Sequence, residues 1–332
     1  MRRAARRIRV GIAAMTILVM AVACIAPDAI LSRLSRPLVM FQAVPSALRL
    51  VGTLTLVGAL PLALLLVLTL LTGRTYCACL CPLGVLQDLV RRVGRLLSRR
   101  RRRRRVSMPL DRSRRRVVRG AVVAALVLTI LAGTVSLLIA LDPYSIWGRL
   151  MSGVAVPAVG WARTWLAMGL ENMDIYALSG GKPRPFSVPI VLAAALPVVG
   201  ILVLAFFWGR LYCVTLCPVG TCLGYLSRYA LFRVRLDGAS CNTCGQCVRT
   251  CRSDCIEVRD DGTAVIHHEE CIVCGDCLAI CPTGALSLGP RPAPAVTEQP
   301  STAAPLAPLR RRLLVAGTAC VAVGVPARLL LG

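Results

Sequence analysis

Eight cysteines set in two matching runs constrain this chain more than any other feature. Cys241-x2-Cys244-x2-Cys247-x3-Cys251 recurs 30 residues later as Cys271-x2-Cys274-x2-Cys277-x3-Cys281, and Pro282 follows. Three thiolates so close in sequence can wrap one face of an iron–sulfur cubane. The fourth must come from a distance, and in the bacterial two-cluster run it comes from the other repeat. The spacing therefore predicts two [4Fe–4S] clusters. Cys241, Cys244, Cys247 and Cys281 would hold one, and Cys271, Cys274, Cys277 and Cys251 the other. Zinc is the main alternative, but zinc pairs typically stand farther apart and need only four ligands. Residues 256–266 carry two β-rich stretches around Asp261-Gly262, so two small hairpins with short helices are expected.

The runs differ at one end. Arg252 follows Cys251 where Pro282 follows Cys281, and Cys255 comes four residues after Cys251. Cys255 reads as a spare thiol that could replace Cys251 as a ligand. His267 and His268 read as a strand end rather than as ligands.

Hydrophobic residues make up 56% of the 332 residues and mean hydropathy is +0.70, which points to membrane spans rather than one large soluble core. Four stretches meet the need for ~20 apolar residues: 10–26, 50–72, 120–141 and 187–208. A fifth, 313–331, carries Pro326 and Arg328. The first has the basic head of a signal peptide but reads as an uncleaved anchor, because more spans follow. The net charge of +25 comes from 40 basic residues, all but Lys182 arginine. They cluster beside the apolar stretches, in the N-terminus and in Arg99–Arg105 with Arg112–Arg119, where they set topology and meet lipid headgroups rather than nucleic acid. By that asymmetry 27–49 and 142–186 face outward and the cysteine runs face the cytoplasm. Residues 150–170, with Trp161 and Trp165, read as a helix at the membrane interface.

A second cysteine motif is duplicated. Gly73-Arg-Thr-Tyr-Cys-Ala-Cys-Leu-Cys-Pro-Leu-Gly84 and Gly209-Arg-Leu-Tyr-Cys-Val-Thr-Leu-Cys-Pro-Val-Gly220 agree at eight of twelve positions, 136 residues apart. Each follows an apolar stretch, so the membrane part reads as a repeated two-span unit. Pro82 and Pro218 suit the first turn of a helix and make Cys81 and Cys217 cap residues. A thiol there has its thiolate favoured by the helix dipole, and Arg74 and Arg210 are available to assist it or to anchor at headgroups. If the repeats pack about a pseudo-two-fold axis, Cys77, Cys81, Cys213 and Cys217 converge on a site for a cluster, a soft metal ion or a disulfide. Cys24, Cys79, Cys222 and Cys320 read as incidental.

In these motifs the chain resembles the membrane-bound polyferredoxins of the NapH and NosR type, over roughly residues 1–290. The resemblance implies a relay of electrons between the quinone pool, or a cytoplasmic donor, and a periplasmic redox partner. For NosR-like members it implies maturation or regulation of an exported metalloenzyme, the alternative function here. The NosR flavin-binding domain is not seen in the sequence, and the size is nearer to NapH. No catalytic dyad, phosphate loop or nicotinamide fingerprint is found, so the reading is of an electron-transfer component rather than a complete enzyme. The expected fold class is mainly α. A four- to five-span transmembrane unit (1–228) carries a small cytoplasmic α+β two-cluster ferredoxin domain (229–289) in the bacterial inner membrane. A Pro/Ala-rich linker (290–309) and a further span or twin-arginine-like segment (310–332) follow.

Overall fold

The computed structural model describes residues 2–25, 39–53, 55–97, 109–171, 187–259 and 264–290. The chain opens with α1 (Arg2–Ile25), apolar from Arg7 onward. The next apolar stretch forms two helices, α2 (Ala43–Thr53) and α3 (Leu56–Thr72). Thr55 leaves helical geometry at φ −104° and ψ 154°, and its hydroxyl accepts from the Gly58 N–H at 3.2 Å, so a cap starts a new helix where one continuous span is expected. A one-turn helix α4 (Thr75–Cys79) and α5 (Pro82–Leu97) follow.

The expected span 120–141 is also divided. α6 (Arg112–Leu131) ends before Gly133, which sits at φ +76°. There Thr134 turns back onto the Thr129 carbonyl with its N–H at 2.9 Å and its hydroxyl at 3.1 Å. α7 (Ser136–Leu141) then folds back against α6. The helical run that continues from there is α8 (Pro143–Leu150), one π turn (Met151–Ala155) and α9 (Val156–Glu171). α10 (Val188–Trp208) packs against α8 and the π turn, and α11 (Leu211–Thr215) and α12 (Pro218–Ser227) close the helical unit.

Among the described residues, Arg7–Ile25 and Val188–Trp208 are long and apolar enough to cross a membrane, and Gly58–Thr72 is a shorter apolar helix. The expected span 313–331 lies outside the described residues. A core helix of this length would be mostly buried, yet only 22% of the apolar window in α10 is buried. Leu192, Leu196 and Val199 stand largely exposed along it. α5 is inverted in the same sense. Its buried side holds Gln87, Asp88 and Arg91, while Leu89, Val93, Leu96 and Leu97 face outward. A water-soluble helix hides its apolar stripe and exposes its charges; α5 does the reverse, because its charges are met from inside.

They are met by the small α+β unit that follows. β1 (Phe232–Leu236) pairs antiparallel with β4 (Leu286–Pro290), and β2 (Ile256–Val258) with β3 (Ala264–Ile266). Two one-turn helices, α13 (Gln246–Thr250) and α14 (Asp276–Ile280), pack on each other between the sheets. Asp88 of α5 takes Arg252 at 2.6 Å and Arg210 at 2.8 Å, and Arg252 continues to Asp276. Arg115 and Arg119 of α6 hold Glu270 at 3.2 and 2.5 Å, and Arg112 holds Glu257 at 3.1 Å. Arginines that the sequence assigns to topology thus also fasten the small unit to the helices.

Candidate metal centres

Two thiol-lined cavities lie in the α+β unit. Cys241, Cys244, Cys247 and Cys281 line the first, with Thr243, Gly245 and Leu286 among its walls. Cys251, Cys271, Cys274 and Cys277 line the second, together with Cys255, Ile256 and Ile272. Each cavity therefore gathers three cysteines of one run and the last of the other. Local geometry explains how. Thr243 and Val273 sit at φ +52° and +50°, and Gly245 and Gly275 at +67° and +74°. Alternating left-handed residues curl the backbone so that successive N–H groups face a concavity, the anion-binding nest found at many iron–sulfur sites. β-Branched residues resist positive φ, so the repetition of this strain in both halves marks it as part of the site.

The halves match to the next residues as well. Cys251 Sγ lies 3.8 Å from Ser253 Oγ, and Cys281 Sγ lies 3.6 Å from Thr283 Oγ1. The Cys255 N–H donates to Cys251 Sγ at 3.3 Å, where Ala285 serves Cys281. The departures have different uses. Arg252 takes the place of Pro282 and is the arginine that clamps Asp88 and Asp276. Cys255 takes the place of Ala285, and its sulfur stands 3.4 Å from Cys251 Sγ. Hydrogen bonds to Cys251 and Cys271 push the Cys255 thiol up.

An all-sulfur donor set in a nest suits an iron–sulfur cluster. Among the described residues no three His, Cys, Asp or Glu side chains are grouped closely enough to hold one metal ion. His267 lies 3.4 Å from Glu257 instead, and the His268 carbonyl accepts from Ser227 Oγ at 3.0 Å. The first cavity is the open one, with Cys244 exposed; in the second, Cys251, Cys271 and Cys277 are buried. Cys274 packs against the core of the helical unit. Burial, with Asp276 nearby, pushes its thiol up to about 12.

That core contains the duplicated motif. Cys77, Cys81, Cys213 and Cys217 are all buried in one cluster with Tyr76 and Tyr212. The repeats grip each other through their arginines. Arg74 donates to the Cys213 carbonyl at 3.1 Å, and Arg210 to the Cys77 carbonyl at 2.5 Å. Arg210 also holds Gly84 O and Asp88, whereas Arg74 reaches Glu269 O. Both side chains are at most 1% exposed, so neither anchors at headgroups. The tyrosines pin neighbouring segments: Tyr76 donates to Gln42 Oε1 and Tyr212 to Leu141 O, both at 2.6 Å. The second bond holds the end of α7 beside the second motif, so the stretch 120–141 does not carry the chain away from it.

Cys217 caps α12, its sulfur accepting from the Gly220 N–H at 3.2 Å. The thiolates expected from helix dipole and arginine do not result. Burial pushes Cys81 and Cys217 up, and Cys213 up to about 11 despite Arg210. The residue that sequence reasoning missed is Gln87, buried in α5, which accepts from Cys213 Sγ at 3.2 Å. Its place one residue before Asp88, on the same inverted face, is visible only once α5 is seen to bury its polar side. Cys24 and Cys222 are exposed and Cys79 is half-buried, away from any cavity described here, and Cys320 lies outside the described residues.

Fold and cavities together define a ferredoxin-type iron–sulfur protein on a helical base. A family model described as a 4Fe-4S binding domain matches residues 54–105 and 190–237, and one described as a 4Fe-4S dicluster domain matches 240–285. The ferredoxin-type protein NapH of Haemophilus influenzae is 24% identical over 75% of this chain and 72% of its own. YccM of Escherichia coli, named as a candidate electron transport protein, is 24% identical over 66% of this chain and 52% of its own. An uncharacterized protein of Methanocaldococcus jannaschii is 34% identical over 33% of this chain. The chain spans 41% of that protein's length and about half of YccM's. No solved structure matches the chain. In sequence the chain is similar to NapH-type 4Fe–4S ferredoxins.

Proposed function

We propose that this protein is a membrane-bound electron carrier whose eight paired cysteines hold two [4Fe–4S] clusters. It would relay electrons between the quinone pool or a cytoplasmic donor and a periplasmic redox partner. One observation carries the reading: each cavity is lined by three cysteines of one run and the last of the other. When bound, such clusters supply one-electron redox chemistry, with potentials tuned by charge, hydrogen bonding and exposure.

The protein's own part is to place the two sites at different depths. Cys241, Cys244, Cys247 and Cys281 line the more open site, the side a soluble partner can approach. Cys251, Cys271, Cys274 and Cys277 line the site against the helices, where Ile272 and the Arg252 clamp keep water out. Membrane insertion is supported by the exposed apolar side chains of α10 and the inverted α5. The arginine-rich flanks support a multi-pass inner-membrane chain with the ferredoxin unit (229–289) on the cytoplasmic side of the helical unit (1–228). The alternative role, a thiol-handling maturation or regulatory protein, is less favoured, because thiol exchange requires access and these four thiols are buried.

Anaerobic reconstitution of the full chain with iron and sulfide, followed by redox titration under paramagnetic resonance, tests the proposal. Two cubane signals that menaquinol or a soluble donor can shift are expected. Two bound zinc ions and no redox-active iron would sink it.

A further inference from the structure

Two buried guanidiniums approach the second cavity, and among the described residues neither is ion-paired to a carboxylate. Arg91 of α5 is 3% exposed; its Nη2 donates to the Cys251 carbonyl at 3.1 Å, and its Nη1 has no partner. Arg74 is 1% exposed and donates to the carbonyls of Cys213 at 3.1 Å and Glu269 at 3.0 Å, just before Cys271 in sequence. Its Nε has no partner. Each charge attracts a different sulfur of that cavity, Arg91 that of Cys251 and Arg74 that of Cys271.

The carboxylates nearby already have partners. Asp276 is held by Arg252, and Glu270 by Arg115 and Arg119. Asp254 meets Arg115 at 3.4 Å, and Glu269 meets Arg228 at 2.8 Å. A buried guanidinium without a counter-charge is costly. The anion that Arg74 and Arg91 lack is the one this cavity suits: a cluster with its thiolates is a net anion, and reduction adds further negative charge. The first cavity is furnished differently. Arg249, which donates to the Cys244 carbonyl there at 3.1 Å, is exposed, and solvent screens its charge.

We infer that Arg74 and Arg91 are the counter-charges of the inner cluster and set its midpoint potential above that of the open one. Electrons that a soluble donor delivers at the open cavity then run inward, to the site against the helices. Excluding water from the inner site acts in the opposite sense, because it disfavours added negative charge. The guanidiniums outweigh that effect, since they act on the cavity through protein rather than through solvent. This inference rests on the electron-carrier reading and adds to it a direction of flow, with Arg74 and Arg91 as the residues that set it.

The test is a potentiometric titration of the full chain, reconstituted anaerobically in detergent with ferrous iron and sulfide and followed by paramagnetic resonance. Cys241→Ala, which removes a thiol of the open site, tells the two signals apart. In the wild type the inner cluster should be reduced at the higher potential. Arg91→Met should lower its midpoint, so that its reduced-to-oxidised ratio at a fixed potential falls about tenfold, or about 59 mV for one electron. The open cluster should not move, and Arg91→Lys, which keeps the charge, should restore most of the shift. A wild-type inner cluster with the lower midpoint overturns this inference and leaves the electron-carrier reading standing. So does an unmoved midpoint in Arg91→Met, or an equal fall in Arg91→Lys. Should Arg91→Met lose its inner cluster, the wild-type order alone decides. Absence of redox-active cubanes would overturn both readings.

Discussion

At Gly220 a Cβ would stand 2.3 Å from the Cys213 carbonyl oxygen and 2.8 Å from Arg74 Nη2. At Gly84 it would stand 2.7 Å from the Cys77 oxygen and 3.1 Å from Arg210 Nη1. The last glycine of each motif is thus the gap through which the other repeat's arginine passes. Gly220→Ala should cost about 1–3 kcal/mol of stability, read as a lowered Tm of the detergent-solubilised protein; an unchanged Tm would refute this packing. Residues also separate the two ferredoxin halves. Cys255 lies beside Cys251, whereas Ala285 lies beside Cys281. Cys251→Ala should therefore keep most of its cluster, with Cys255 taking the vacated iron, while Cys281→Ala loses its own. Equal iron loss in the two variants would show that Cys255 is a bystander. The grouping of the eight cysteines around two cavities was legible in the spacing of the two runs. Gln87 and the clamp at Arg252 were not, since both depend on a partner far away in sequence.

Elements carry the docking. α5 buries Asp88 among Arg210, Arg252 and Arg9. Burial alone would raise its carboxyl, but these arginines outweigh it and hold Asp88 well below the usual carboxylate range. A depressed folded pKa gives stability that is fully present above the unfolded value of ~3.9 and lost as pH falls through the folded one. The joint between α5 and the ferredoxin unit should thus hold through mildly acidic pH and open only in strong acid. Asp88→Asn should cost about 3–5 kcal/mol, because it strands buried guanidiniums, and should make the segment around Arg252 cleavable by protease at neutral pH. Unaltered protease resistance would contradict the clamp. Helix boundaries were less legible than helix content. The stretches 50–72 and 120–141 meet the hydropathy requirement, but Thr55 caps one and Gly133 turns the other. Such local chemistry does not change average hydropathy.

In the whole molecule a helical base with apolar outer faces is joined to a ferredoxin unit whose two cavities differ in exposure. The base should remain in the membrane pellet after alkaline carbonate, which strips proteins held only by charge; release into the supernatant would contradict insertion. The duplication at 136 residues pointed to converging repeats, and the structure adds why they hold together, each arginine grasping the other repeat's carbonyl. The most direct test of the central claim is a potentiometric titration of the anaerobically reconstituted full chain in lipid vesicles, followed by paramagnetic resonance. The account predicts two [4Fe–4S] signals from the ferredoxin unit, both reducible through the vesicle-bound protein by a quinol or a soluble donor. Redox-silent metal at these eight cysteines, or clusters that no such donor can reduce, would contradict it.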